Sequence, residues 1–148
     1  MKRATHIKKY LLIVCLLILG VAILILFIQR PRYTTIKIGD STIYAKVVST
    51  PQQQAQGLSG TSKLPNNQGM LFVFPRSNKI SFWMKGMHYN LDIIWINSSK
   101  RVVTIAQNLS PKSYPRVYSP TQLSSYVLEI DGGMVNRLGI HAGTQVSF

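Results

Sequence analysis

Cysteine is nearly missing from this chain: the single one, Cys15, sits in an apolar run near the amino end. Everything after it has neither a disulfide nor a thiol nucleophile, so its core must supply the stability unaided, a permissible state in an oxidising compartment. Acidic residues are almost as scarce, limited to Asp40, Asp92, Glu129 and Asp131. Any mechanism needing two carboxylates draws on that short set. Catalytic signatures are absent too, with no Gly-x-Ser-x-Gly elbow, no His-Glu-x-x-His and no phosphate loop. There is no internal repeat and no low-complexity linker.

Basic residues are plentiful by contrast. Lys and Arg number 17 and give a formal net charge of +13; Lys2, Arg3, Lys8 and Lys9 precede the apolar run, which leaves +9 for the remainder. Such a surplus suits an anionic neighbour, either phospholipid head groups or an acidic envelope polymer, or else it simply keeps a domain solvated.

The apolar run, Tyr10 to Ile28, carries no charge. At the helical rise of about 1.5 Å per residue it would extend roughly 28 Å, which reads as a membrane span. A cleaved secretory signal is the competing reading, but its apolar stretch is about 7–15 residues. Gly20-Val21-Ala22 is a poor cleavage match, and apolar residues continue past it. Cys15 follows a bulky Val14 and reads as a packing residue rather than a lipid attachment point. The excess of cations before the run, against Arg30 and Arg32 after it, predicts a cytoplasmic amino end and a single-pass membrane protein with its domain outside the membrane. Nucleic acid is disfavoured on that location. The expected organisation is a basic cytoplasmic tail (1–9), an anchor (10–28), a juxtamembrane segment with the first hairpin strand (29–45) and a β-rich domain (46–148) whose folding unit starts near residue 33. The remainder is large enough for one compact domain and too small for two.

Within the domain, Ile36 and Ile38 alternate with polar neighbours, as do Ile43, Ala45 and Val47, across Gly39-Asp40; that is a hairpin. Thr50-Pro51-Gln52-Gln53 has the form of a capped helix start, with Gly57 placed to end the helix. Ser59 to Gly69 reads as a surface loop. Met70–Phe74, Ile80–Lys85, Leu91–Asn97 and Arg101–Gln107 are short aromatic and branched runs bounded by turn residues, which predicts strands. Pro111, Pro115 and Pro120 predict an extended loop over Asn108–Pro120. Tyr126–Ile130 is a further strand, Gly132–Leu138 one or two helical turns, and Thr144–Phe148 a last strand. The expected fold is therefore mainly β, a small barrel- or sandwich-like domain with two short helices, preceded by one transmembrane α-helix.

The order of Thr50…Gly57-Leu58, Gly69-Met70-Leu71-Phe72-Val73-Phe74, Phe82-Trp83-Met84-Lys85, Leu91-Asp92-Ile93-Ile94, Tyr118-Ser119, Val127-Leu128-Glu129 and Gly139-Ile140 resembles the uncharacterised family called domain of unknown function 192, from about Lys46 to Val146. The resemblance implies a compact, mainly β fold that recurs in secreted or membrane-anchored prokaryotic proteins, and it brings no established activity. This chain departs from the family pattern in four places. Gln53 and Gln54 stand where an acidic-basic pair is usual, Ser59 where Met is common, Gly86-Met87 where Asn-Thr follows the Lys, and Thr144 where an Asp follows the Gly.

Three charged residues, Lys85, Asp92 and Glu129, lie in or beside the most apolar runs, where an unpaired charge is costly. They read either as an ion pair, Lys85 with Asp92 or Glu129, that fixes strand register, or as a polar cleft in which Asp92 or Glu129 acts as a general base with Lys85 beside it. Met84, Met87 and His88 offer soft donors suited to Cu(I), although methionine in apolar runs most simply fills core space. Trp83, Tyr89, Tyr114, Tyr118 and Tyr126 could line a ligand groove, since planar aromatics stack on sugar rings, and Tyr114 and Tyr118, with Lys112 and Arg116 in the Pro-rich loop, suit an exposed aromatic and basic surface; Trp95 belongs to the core. The expectation is a cell-envelope binding or interaction module without a cofactor, its face combining Trp83, Lys85, Asp92, Tyr118 and Glu129 with Lys112 and Arg116 at the edge. Its expected partners are the membrane, an anionic envelope polymer, lipid head groups or an envelope protein. The alternatives are an envelope hydrolase using Asp92 or Glu129 and a copper-binding domain using the Met and His group.

Overall fold

The computed structural model describes residues 2–28 and 31–148, with side chains in the first segment described over 10–24. It divides into two units, the amino-terminal segment and Arg32–Phe148. The first is one helix, α1 (Lys2–Ile28).

The predicted transmembrane helix, and with it the single-pass membrane location with an external domain, is corrected here. Among the described residues no helix is long and apolar enough to cross a membrane. Lys2, Arg3, Lys8 and Lys9 lie within α1 itself, so its first turns are charged.

The β part of the expectation holds. The second unit is built from β1 (Arg32–Ile38), β2 (Ser41–Val48), α2 (Pro51–Gln56), β3 (Gln68–Asn78), β4 (Phe82–Trp83), β5 (Leu91–Ile96), β6 (Val102–Leu109), β7 (Val117–Tyr118), β8 (Ser124–Asp131), α3 (Met134–Arg137) and β9 (Val146–Ser147), with a 3-10 turn at Pro111–Ser113. Seven strands form one sheet in the order β6-β5-β8-β3-β2-β1-β9, and β4 pairs with β7 as a separate ribbon. Only β2 and β3 run parallel; the crossover between them carries α2. Near the two ends of the sheet order, Arg101 bridges Gln145 and the Val102 amide donates to the Thr144 carbonyl at 3.0 Å. The sheet is thus barrel-like along that side.

Local chemistry explains the local elements. The β1–β2 hairpin turns at Gly39, whose φ of 55° is left-handed. Helix α2 opens with a reciprocal cap: Thr50 Oγ1 accepts from the Gln53 amide while Gln53 Oε1 accepts from the Thr50 amide, both at 3.3 Å. Gly57, at φ 49°, ends it. Strand β3 continues through Pro75 to Asn78 where the sequence predicts an end at Phe74. Its pairing with β8 is irregular between Val73 and Asn78, a place where the missing proline N–H breaks no ladder bond. The Ile80–Lys85 run yields only two paired residues, because the chain turns at Met84–Met87 and Gly86 takes φ 68°.

Side-chain alternation along β3, β5 and β8 separates two apolar cores. Leu71, Ile94, Ile96, Leu128 and Ile130 point to one face, with Met134 and Val135 of α3 packed there. Met70, Phe72, Ile93, Trp95 and Val127 point to the other, under Leu58, Met84 and Met87. All six residues of β5 are buried because both faces are covered.

A cleft over Glu129

Register decides which charged residues can meet. In the β5–β8 pairing Ile93 stands opposite Glu129 and Asp92 opposite Ile130, so the carboxylates of Asp92 and Glu129 leave the sheet on opposite faces. The single face expected to hold both does not form.

Asp92 is fully buried and bound to main chain alone. Its Oδ1 accepts from the amides of Asn108 at 2.6 Å and Gly133 at 3.1 Å, and its Oδ2 from the amide of Val135 at 2.7 Å. Three donors occupy the carboxylate and tie the chain entering α3 to the sheet. Among the described residues neither Lys85 nor any other cation pairs with it. The one ion pair among the described residues is Arg137–Asp131, at 4.0 Å and largely exposed, beside a hollow of about 300 Å³ lined by Asn66, Asn67 and Met134.

Glu129 is the opposite case. It is 5 % exposed, and among the described residues nothing hydrogen-bonds to its carboxyl. Burial pushes the group up to about 8, with no nearby cation to hold it ionised. No fully enclosed polar side-chain atom among the described residues lacks a partner, so the Glu129 carboxyl keeps its access through the cleft it lines.

That cleft, about 40 Å³, lies under the end of α2 and the β4 ribbon, with Leu58, Phe72, Phe82, Trp83 and Met87 as apolar walls. A groove of about 240 Å³ shares Gln54, Phe72, Phe82 and Trp83 with it and extends over Phe74 and Ile80. Its construction follows from the sequence. Phe82 is held edge-on between Phe72 at 4.9 Å and Trp95 at 6.1 Å, which turns its chain neighbour Trp83 outward, 53 % exposed. Tyr114 meets Trp83 edge-on at 6.2 Å, and the Lys85 ammonium stands 5.9 Å from the Trp83 ring. Across the ribbon Trp83 pairs with Val117 and Phe82 with Tyr118, and the Arg116 guanidinium lies 5.1 Å over the Tyr118 ring. Ser59 Oγ donates to the Lys85 carbonyl at 2.8 Å and the Gly60 amide to that of Gly86, so the loop after α2 is tied to the turn after β4.

Trp83, Lys85, Tyr118, Arg116 and Glu129 therefore belong to one region, Asp92 lies outside it, and Lys112 is exposed in the 3-10 turn. Met84 and Met87 are packed in the core and His88 is exposed; among the described residues no three His, Cys, Asp or Glu side chains gather as metal ligands. Sequence reasoning missed Gln54, Leu58, Phe72 and Phe82 as walls. The parity of Val127 and Glu129 on a strand buried on both faces was the available signal for them. Tyr89 feels this cleft too: burial raises its phenol, its bond to Thr61 Oγ1 lowers it, and the charges of Glu129 and Asp131 raise it.

The family model of domain of unknown function 192, described as an uncharacterized ACR, matches residues 34–148. The chain belongs to that family. Family relatives include UPF0127 proteins of Thermococcus gammatolerans and Thermococcus kodakarensis, each 30 % identical over 84 residues, or 55 % of this chain. The alignments cover 52 % and 51 % of those proteins, so the chain spans about half the length of the curated relatives it matches. Two crystal structures share the fold. A protein of unknown function from Novosphingobium aromaticivorans DSM 12444 has a TM-score of 0.73 at 28 % identity, covering 78 % of this chain and 85 % of that one. A protein from Sinorhizobium meliloti 1021 described as a putative transcription regulator has a TM-score of 0.75 at 26 % identity, covering 79 % and 94 %. Two of the positions at which this chain departs from the family pattern touch: a Cβ added to Gly86 would lie 3.2 Å from the Ser59 Cβ.

Proposed function

We propose that this protein is a binding module rather than a hydrolase, and that its site is the Glu129 cleft with Trp83 at the mouth. One observation carries the reading: a buried carboxyl with no hydrogen-bond partner among the described residues opens on a cleft beside a half-exposed tryptophan. A cleft that sets apolar walls beside a few placed polar groups, here Gln54, Gln56, Ser59 and Glu129, is the usual form of a ligand site. The hydrolase reading loses Asp92, whose oxygens are occupied by three amides.

The ligand class proposed is a chain of acidic sugar rings. The chain's net charge of +13 and the cations at Lys85 and Arg116 favour an anion, while Trp83 offers a face for a pyranose ring. Single-stranded nucleic acid is the competing anion. Successive bases stack on rings that can lie parallel to one another, whereas Trp83 and Tyr114 stand at 78°.

Titration of the full chain with tetragalacturonate at neutral pH, followed by isothermal titration calorimetry, tests this. Binding that weakens at least about tenfold with Trp83→Ala and falls with rising salt is expected. Failure to bind, equal binding by the folded Trp83→Ala variant, or tighter binding of a thymidine oligonucleotide would overturn the reading.

A further inference from the structure

We infer that Glu129 works as a neutral hydrogen-bond donor, and that the cleft takes the carboxylate tip of the ligand rather than a cationic one. This deepens the proposed function and rests on it. The argument begins with space. A water needs roughly 10–15 Å³ measured this way, so about 40 Å³ accepts about three heavy atoms, the size of a carboxylate. The adjoining groove of about 240 Å³ accommodates the body that carries it.

Charge gives the sign. An ionised Glu129 would repel a carboxylate, and no cation in the cleft would offset the repulsion. A protonated one presents an O–H to the same oxygen, a short and strong bond where water is scarce. A carboxyl that is neutral at pH 7 fits that role, and Glu129 is held at about 8 by burial alone. The groups facing it agree. Met70 and Ile93 stand opposite it on the neighbouring strands, and the cleft is closed by apolar Leu58, Phe72, Phe82, Trp83 and Met87 and by the uncharged polar Gln54, Gln56 and Ser59. Tyr89 is the titratable group close enough to sense its charge, and its phenol is raised above the ordinary value, so it stays neutral where Glu129 titrates. Lys85 sits outside over Trp83, where it draws an anion in without ionising Glu129.

The two signs of ligand predict opposite pH slopes. An anionic tip that needs the proton loses affinity as Glu129 ionises, by about tenfold from pH 7 to pH 9 for a carboxyl at about 8. An ammonium tip would gain affinity over the same range. The experiment titrates the full chain with tetragalacturonate and with n-hexylamine at constant ionic strength from pH 7 to pH 9. The expected result is about tenfold weaker tetragalacturonate binding at pH 9, a pH-independent affinity in Glu129→Gln, and an upward shift of the Glu129 carboxyl titration, followed by carbon NMR, when tetragalacturonate is bound. A flat profile in the parent with Trp83-dependent binding intact would overturn this inference and leave the binding site standing. A slope that survives in Glu129→Gln, or hexylamine binding that strengthens with pH, would overturn it as well. Absence of tetragalacturonate binding at every pH would remove both readings.

Discussion

The Asp92 carboxylate and the Val135 amide, 43 residues apart in sequence, meet at 2.7 Å. With Asn108 and Gly133 donating to the other oxygen, one buried side chain holds β5, the end of β6 and the entry to α3 together. Asp92→Asn replaces an acceptor with an amide nitrogen that faces donors. Hydrogen bonds to charged groups contribute about 1.5–3 kcal/mol each, so a loss of about 2–4 kcal/mol in urea unfolding is expected. A variant as stable as the parent would show that the carboxylate is dispensable.

Glu129 makes stability depend on pH in the direction opposite to most carboxylates. Its folded value, about 8, lies above the ordinary 4.5, so the folded state holds a proton that the unfolded chain releases. The stabilisation is fully present below pH 4.5 and is lost as pH rises through about 8. Glu129→Gln has no ionisation to suppress. Its melting temperature should change little between pH 5 and 9, while that of the parent should fall by the equivalent of a few kcal/mol.

Gly69 opens the Gly-Met-Leu-Phe run for a reason of contact, not conformation. A Cβ there would lie 2.7 Å from the Glu129 carbonyl oxygen and 3.1 Å from Ile130 Cγ2, inside the β3–β8 pairing. Gly69→Ala is expected to destabilise the fold by about 3 kcal/mol, the upper end of overpacking costs, measurable by chemical denaturation.

Lys100 clamps the carboxyl-terminal end. Its ammonium lies 3.6 Å from the Tyr126 ring centroid and 3.2 Å from that of Phe148, and the two rings meet edge-on at 5.1 Å. Lys100→Met keeps the length and removes the charge. A loss of about 1 kcal/mol, with faster amide exchange at Val146–Phe148 and no change at Glu129, is the expected result.

What was legible in the sequence follows the range of the forces involved. The Gly39 turn, the Thr50–Gln53 cap and the alternation in β1 and β2 are set by neighbours in the chain, and they form where the residues predict. Lys85, Asp92 and Glu129, grouped on one face by the sequence reading, are divided by the sheet. Pairing Lys85 with Asp92 or Glu129 follows from apolar context alone, which cannot reveal that Ile93, not Asp92, stands opposite Glu129. One residue of register separates the two faces of a sheet. Backbone amides were also invisible as partners, since Asp92 draws them from three distant segments. The apolar run at 10–28 was read from hydropathy as a span, and the charged first turns of α1 were set aside as a tail.

The sheet order has a consequence for how the chain is made. In the sheet order strand β8 joins the β6–β5 pair to the β3–β2–β1 group, yet it follows all of them in the chain. Until it leaves the ribosome, the nascent protein consists of two fragments, each with an unfilled apolar edge open to chaperones or to wrong partners. The same strand delivers Glu129. A truncated or prematurely released product therefore lacks the sheet's central join and the floor of the cleft together, so partial products hold no half-formed site.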